Sequence, residues 1–228
     1  MHDAPLSYGD GLLAALHELA PEAPAAALMR HSVRGPVTDL RTSPDVPLTP
    51  EGVVAARRFG QGLPAGRTVR LVHSPIERCA QTARAVAEGF VRAGGSAEVL
   101  GPLPALGAPY VQDFERLVEA AGRYDPWAFV RVWFDGRLPA GILLPADEAA
   151  RGQLDVLGAH LSGTPEGGLT LLVSHDWNVM LLRERLLGVR HDDAGWLDYL
   201  DGVMLAAGAA GLRLCWRDVV RGVEEDVA

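Results

Sequence analysis

Arg30-His31-Ser32-Val33-Arg34-Gly35-Pro36 follows directly on Ala25-Ala26-Ala27-Leu28-Met29, and the reading of the whole chain starts at this junction. The five apolar residues have the length and character of a short buried strand. A strand that runs into a turn containing Gly and Pro leaves its last side chains at the edge of a sheet. Here those side chains are two guanidiniums and an imidazole. Imidazole is a nucleophile that is partly unprotonated near neutral pH, and the planar forks of arginine match phosphate oxygens. A solvated turn with two surface arginines accounts for the same residues equally well. The chain contains no lysine, its 21 basic residues all being arginine, so the choice of Arg over Lys carries no information by itself.

Two more junctions repeat the pattern. Thr68–His73 is rich in β-branched residues and reads as a strand. It ends in Ser74-Pro75-Ile76-Glu77-Arg78. Ser74 with Glu77 three residues on has the form of a capping box, and Pro75 suits a first helical position, so a helix is expected to start here with Arg78 in its first turn. His73 is expected to point to the opposite face of the pleat. Leu169–Val173, the clearest buried strand, runs into Ser174-His175-Asp176, with a helix expected over 179–187 and closed by Gly188. In an open parallel sheet such junctions share the carboxyl edge, where ligands bind. That gathers Arg30, His31, Arg34, Arg78, His175 and Asp176 around one crevice, with two helix N-termini aimed at it.

The rest of the chain supports an α/β reading. Helical spacing of Leu12, Leu13, Leu16 and Leu19 predicts a helix over 9–20. Thr49-Pro50 predicts a capped helix start, with Val53, Ala56, Phe59 and Leu63 as its apolar face. Residues 97–100 read as a strand, and 203–206 with 212–216 as a closing hairpin. From 101 to 165 prolines and aromatics interrupt the pattern, which predicts mainly helices forming a cap, its aromatics making a small core of their own rather than a pocket lining. The net charge of −8 argues against general binding to nucleic acid or anionic membranes. Cys79 and Cys215 show no metal-ligand spacing and read as free thiols in a reducing compartment. With neither a signal peptide nor a long apolar run at the start, a soluble cytoplasmic protein is expected.

The three blocks, Arg30-His31-x-x-Arg34-x-Pro36, Ser74-x-x-x-Arg78-x-x-Gln81-Thr82-Ala83 and Ser174-His175-Asp176, resemble in order the motifs of the histidine phosphatase superfamily, the phosphoglycerate mutase-like group. The resemblance implies a single α/β domain over 1–228: a three-layer sandwich with a mostly parallel central sheet flanked by helices. Its core would be 25–100 and 166–220, with a helical cap inserted at about 101–165. It implies hydrolysis of small phosphomonoesters through a phosphohistidine on His31. Arg30, Arg78 and His175 would hold the phosphoryl oxygens, Arg34 would assist, and neither metal nor cofactor would be needed. Asp176 is the favoured proton donor, with Asp113 or Glu115 in reserve, although a helix N-cap is the plainer role for Asp176. Ser32 stands where the family usually has Gly, close to the phosphate; its small side chain is expected to be tolerated, with a strained loop as the alternative. Three alternatives stay open: a mutase using the same residues, a metal-dependent His-Asp phosphohydrolase with His31 or His73 as further ligands, and a non-catalytic binder of phosphorylated ligands.

Overall fold

The computed structural model describes residues 8–208 and 211–223. Its organising feature is one seven-stranded sheet. β1 (Ala25–Arg30), β2 (Thr68–His73), β3 (Ser96–Pro102) and β4 (Gly168–Ser174) form the parallel part, in spatial order β3-β2-β4-β1. β5 (Gly202–Gly208), β6 (Gly211–Trp216) and β7 (Val219–Val223) add on beside β1 through antiparallel pairs, so the sheet is mixed. Apolar residues alternate between its two faces, and each face is covered by helices, which gives three layers.

One face carries Ala27, Met29, Leu71, Leu171 and Val173 and packs against α1 (Asp10–His17), α2 (Pro50–Gln61) and α3 (Glu77–Arg92). α2 starts as its sequence dictates: Thr49 Oγ1 accepts from Gly52 N at 3.0 Å, with Pro50 at the first helical position. α2 and α3 then approach backbone to backbone. A Cβ at Gly60 would lie 2.1 Å from Val86 O, and one at Gly89 2.0 Å from Arg57 O. This contact seats α3, and with it Arg78, against the sheet.

The other face carries Leu28, Val72, Leu172, Val203 and Leu205. Over it lie α4 (Phe114–Ala121), α5 (Pro126–Phe134), α6 (Ala146–Ser162) and α7 (Asp176–Leu181). The 101–165 segment is helical, but its aromatics do not make a core of their own. Tyr110, Phe129, Trp133 and Phe134 are buried in the same cluster as the sheet residues Leu28, Val72 and Leu172. Their rings are large enough to fill the whole space down to the sheet, so one continuous core results. Phe114, Tyr124 and Trp127 stay exposed.

Four further details depart from the sequence reading. α3 begins at Glu77, after an N-cap at Ile76, so Ser74 and Glu77 form no capping box. α7 begins three residues earlier than its apolar spacing suggests, and its last turn widens into a π-helical turn at Leu182–Leu186 before Gly188 (φ 75°) ends it. β7 has no counterpart in the expected elements because Arg221 and Gly222 break its apolar alternation. The acidic tail, 224–226, lies outside the described residues. Among the described residues, no helix is long and apolar enough to cross a membrane.

Candidate active site

The strand register brings the three motifs together. Arg30 pairs with Ser174, and His73 with Val173, so β1, β4 and β2 end at one level. The next residues hold that level: His31 N donates to Ser174 O and Ser74 N to Val173 O, each at 2.9 Å. All six candidates therefore stand at one edge of the sheet, and the rings of His31 and His175 lie 5.5 Å apart, nearly perpendicular.

Arg78, in the first turn of α3, ties the two imidazoles together. Its Nε donates to His31 Nε2 at 3.0 Å, its Nη2 to His175 Nδ1 at 3.2 Å, and its Nη1 to Ser43 O at 2.6 Å. These bonds fix both tautomers, because a guanidinium only donates. His31 Nδ1 carries the proton and gives it to Ser32 O at 2.7 Å, leaving a lone pair on Nε2. His175 is unprotonated at Nδ1, so its Nε2 donates to Ser74 Oγ at 3.0 Å. Burial, then the other imidazole, then Arg30 and Arg78 hold His31 well below the usual imidazole range. Burial and Arg78 bring His175 down to about 3. Both rings are neutral at physiological pH.

Arg30 is buried between Asp176 and an aromatic face. Its Nη2 lies 3.0 Å from Asp176 Oδ2, its Nη1 donates to Leu197 O, and its Cζ sits 4.0 Å from the centroid of Tyr199. The Nε atoms of Arg30 and Arg34 are buried without a hydrogen-bond partner. Buried unpaired cationic donors call for an acceptor, and a tetrahedral oxyanion supplies several. Asp176 accepts from Arg30, from Trp196 Nε1 at 3.0 Å and from its own following amide, Trp177 N, at 3.0 Å. Burial alone would raise its pKa, but Arg30, the Trp196 bond and the two histidines outweigh that and bring it to about 2.

Ser32 fits without strain. Its backbone lies outside the left-handed region, its N donates to Thr82 Oγ1 at 3.0 Å, and its Oγ donates to Gly52 O at 2.7 Å. The loop after Ser32 lies close against the start of α2, where a Cβ at Gly52 would lie 2.1 Å from Val33 O.

The reserve carboxylates are engaged elsewhere. Asp113 caps α4 by accepting from Arg116 N, and Glu115 pairs with Arg41 at 2.6 Å on the surface. His73 is buried and hydrogen-bonds Ser74 O through Nδ1. Among the described residues, no group of three His, Cys, Asp or Glu side chains is placed to hold a metal ion. Cys79 and Cys215 are free; Cys79 lies deep beside His175, and burial pushes its thiol up to about 12. Sequence reasoning missed Ser74 as a partner of His175, and it missed Trp196 and Tyr199. Two aromatics within four residues, Trp196 and Tyr199, are the only mark these two leave in the sequence.

The sequence matches the model of the histidine phosphatase superfamily (branch 1) over residues 27–200. The chain belongs to this superfamily. The superfamily fold is also seen in solved structures. YhfR of Bacillus stearothermophilus is 19% identical, with a TM-score of 0.60 over 89% of this chain and 100% of that one. The phosphoserine phosphatase of Entamoeba histolytica, solved with 3-phosphoglyceric acid, is 16% identical, with a TM-score of 0.57 over 90% and 100%. The mycobacterial glucosyl-3-phosphoglycerate phosphatase Rv2419c is 18% identical, with a TM-score of 0.56 over 88% and 100%. A comparison with curated protein sequences gives no significant match. This superfamily member thus has phosphatases among its structural neighbours, at identities that speak for the fold alone.

Proposed function

We propose that the protein hydrolyses phosphomonoesters through a phosphohistidine on His31. The observation that carries this reading is the Nε2 lone pair of His31, held between Arg78 and His175 in the field of Arg30, with the Nε atoms of Arg30 and Arg34 left unpaired. The incoming phosphate takes over the donors of Arg78, and Nε2 attacks phosphorus in line with the ester oxygen. The N–P bond forms as the P–O bond breaks, and the departing oxygen takes a proton from Asp176. Water, giving its proton back to Asp176, then cleaves the N–P bond and releases phosphate. Arg30, Arg34 and Arg78 hold the three equatorial oxygens throughout, and His175 joins them by taking up a proton at Nδ1 once the phosphate dianion draws Arg78 away and favours the charged imidazole.

The low pKa of Asp176 bears directly on its role. In the ligand-free site its carboxylate is ionised and paired with Arg30. A phosphate that draws Arg30 to itself removes that partner and sets a like charge beside the carboxylate, and both changes raise its pKa. Asp176 therefore becomes an acid only when substrate is bound, taking the proton of a monoanionic ester. Since the second phosphate pKa is about 6, kcat/KM falls as pH rises above that value.

The test is His31→Ala against wild type on p-nitrophenyl phosphate, with acid-labile phosphate trapped on the enzyme by rapid quench. Wild type labels and turns over, while the variant does neither. Turnover retained within tenfold in the variant overturns the mechanism.

A further inference from the structure

Beside Asp176 the site continues into aromatic side chains that the proposed hydrolysis leaves unused. Trp196 donates its indole N–H to Asp176 Oδ2 at 3.0 Å. Its ring lies 5.6 Å from that of Trp127, tilted by 45°. The buried ring of His191 backs both, 5.3 Å from Trp127 and 5.8 Å from Trp196. The neighbouring Phe129 and Trp133 are consumed by the core, but Trp127, in the first turn of α5, is 39% exposed. Trp196 is partly exposed, as is the Asp176 carboxylate it holds. Core packing explains the buried rings and not the exposed one. A large ring left to water next to a reactive site is a contact surface.

The charges next to these rings are specific. α8 (His191–Ala194) carries the exposed Asp192 and Asp193. The arginines there are already paired: Arg131 Nε lies 2.9 Å and Arg190 Nη2 2.8 Å from Asp192 Oδ2. Asp193 has no ion-pair partner among the described residues, so the segment next to the rings carries surplus negative charge that would repel a carboxylate or a second phosphate and leave an uncharged group unaffected.

We propose that Trp196 and Trp127 form a shelf for the alcohol part of the substrate, and that the substrates are phosphomonoesters of uncharged aromatic alcohols rather than phosphorylated acids. The assignment rests on the proposed function for where the phosphate sits. The carboxylate that protonates the departing oxygen is hydrogen-bonded to one indole of the shelf. The alcohol therefore leaves across Asp176 onto the ring faces, where an aromatic group stacks in offset or edge-on geometry.

Calorimetric titration of the ligand-free protein with 3-phenylpropylphosphonate and with propylphosphonate tests the shelf without requiring turnover. The phenyl compound should bind about tenfold more tightly. Trp127→Ala should cut that ratio to about twofold, while Trp127→Phe, which keeps a ring and guards against a folding artefact, should retain most of it. Equal affinities in wild type, or a preference unchanged in Trp127→Ala, overturns the shelf. The matching phosphate esters, whose leaving groups are equally basic, are assayed alongside. Hydrolysis of both esters without a binding preference overturns the shelf alone. A phenyl preference without hydrolysis of either ester overturns the hydrolase reading and supports the shelf. Failure of both phosphonates to bind overturns both.

Discussion

Two neutral imidazoles buried among arginines make the ligand-free protein sensitive to mild acid. An unfolded histidine takes up a proton near pH 6.5, whereas His175 in the fold holds off until about pH 3 and His31 until well below its usual value. Between those limits the unfolded chain binds protons that the native state refuses, so the stability these groups contribute is complete above about pH 6.5 and lost as pH falls. Each such proton costs about 1.36 kcal/mol per pH unit. From pH 7.5 to 4.5 His175 alone accounts for roughly 2–3 kcal/mol, a sizeable part of the roughly 5–15 kcal/mol of a typical domain. Asp176 acts in the same direction, in a separate and lower window. Its depressed pKa stabilises the fold above about pH 4 and loses that contribution as pH falls towards 2. His160, lowered by burial, adds a smaller loss in the same direction as the two site histidines. The assay is urea unfolding of wild type and His175→Gln at pH 7.5 and 4.5. Glutamine can still accept from Arg78 and donate to Ser74 but does not titrate. The variant should lose roughly 2–3 kcal/mol less stability than wild type over this interval. Parallel losses in the two proteins would refute the burial of a neutral His175.

The remaining predictions concern single side chains. Gly89→Ala puts a methyl group where Arg57 O stands 2.0 Å away, so α2 and α3 must part. Thermal unfolding should show a loss of about 2 kcal/mol or more, with turnover falling as Arg78 shifts. Ser32→Gly removes the bond to Gly52 O and adds backbone freedom, which costs about 1–2 kcal/mol in urea unfolding. Its kcat on p-nitrophenyl phosphate should stay within about threefold of wild type, because the hydroxyl is spent on Gly52. Asp176→Asn should slow alkyl phosphates at least about 100-fold and p-nitrophenyl phosphate much less, since only the poor leaving group needs the proton. Equal slowing of the two esters would place the acid elsewhere.

The strands and the gathering of the motifs were legible because both rest on strong local signals. Ala25–Met29 and Leu169–Val173 are apolar throughout, as strands buried on both faces must be, and each runs straight into its polar cluster. Parallel pairing then leaves little freedom in where those clusters meet. The helical segment was less legible. Its aromatics say only that they are buried, and sequence does not distinguish a separate small core from a share in the main one. β7 was missed because an exposed edge strand needs no apolar alternation: Arg221 and Gly222 satisfy it by backbone pairing alone.

Ser74 shows why a correct local rule can still fail. Ser-Pro-x-Glu satisfies the capping-box pattern, and nothing nearby in sequence competes for the hydroxyl. The competitor comes from 101 residues away: His175, which must donate from Nε2 once Arg78 has claimed Nδ1. The hydroxyl accepts that bond, takes only a long 3.3 Å contact from Ile76 N, and the helix starts at Glu77 without a side-chain cap. A lost cap costs about 1 kcal/mol, whereas an unpaired imidazole N–H deep in the site costs about 1–3 kcal/mol. The tertiary demand wins, and the same bond that displaces the helix start turns the His175 ring so that its other nitrogen meets Arg78. The conflict between local pattern and structure thus falls on the site itself, where a sequence is expected to break its own local rules.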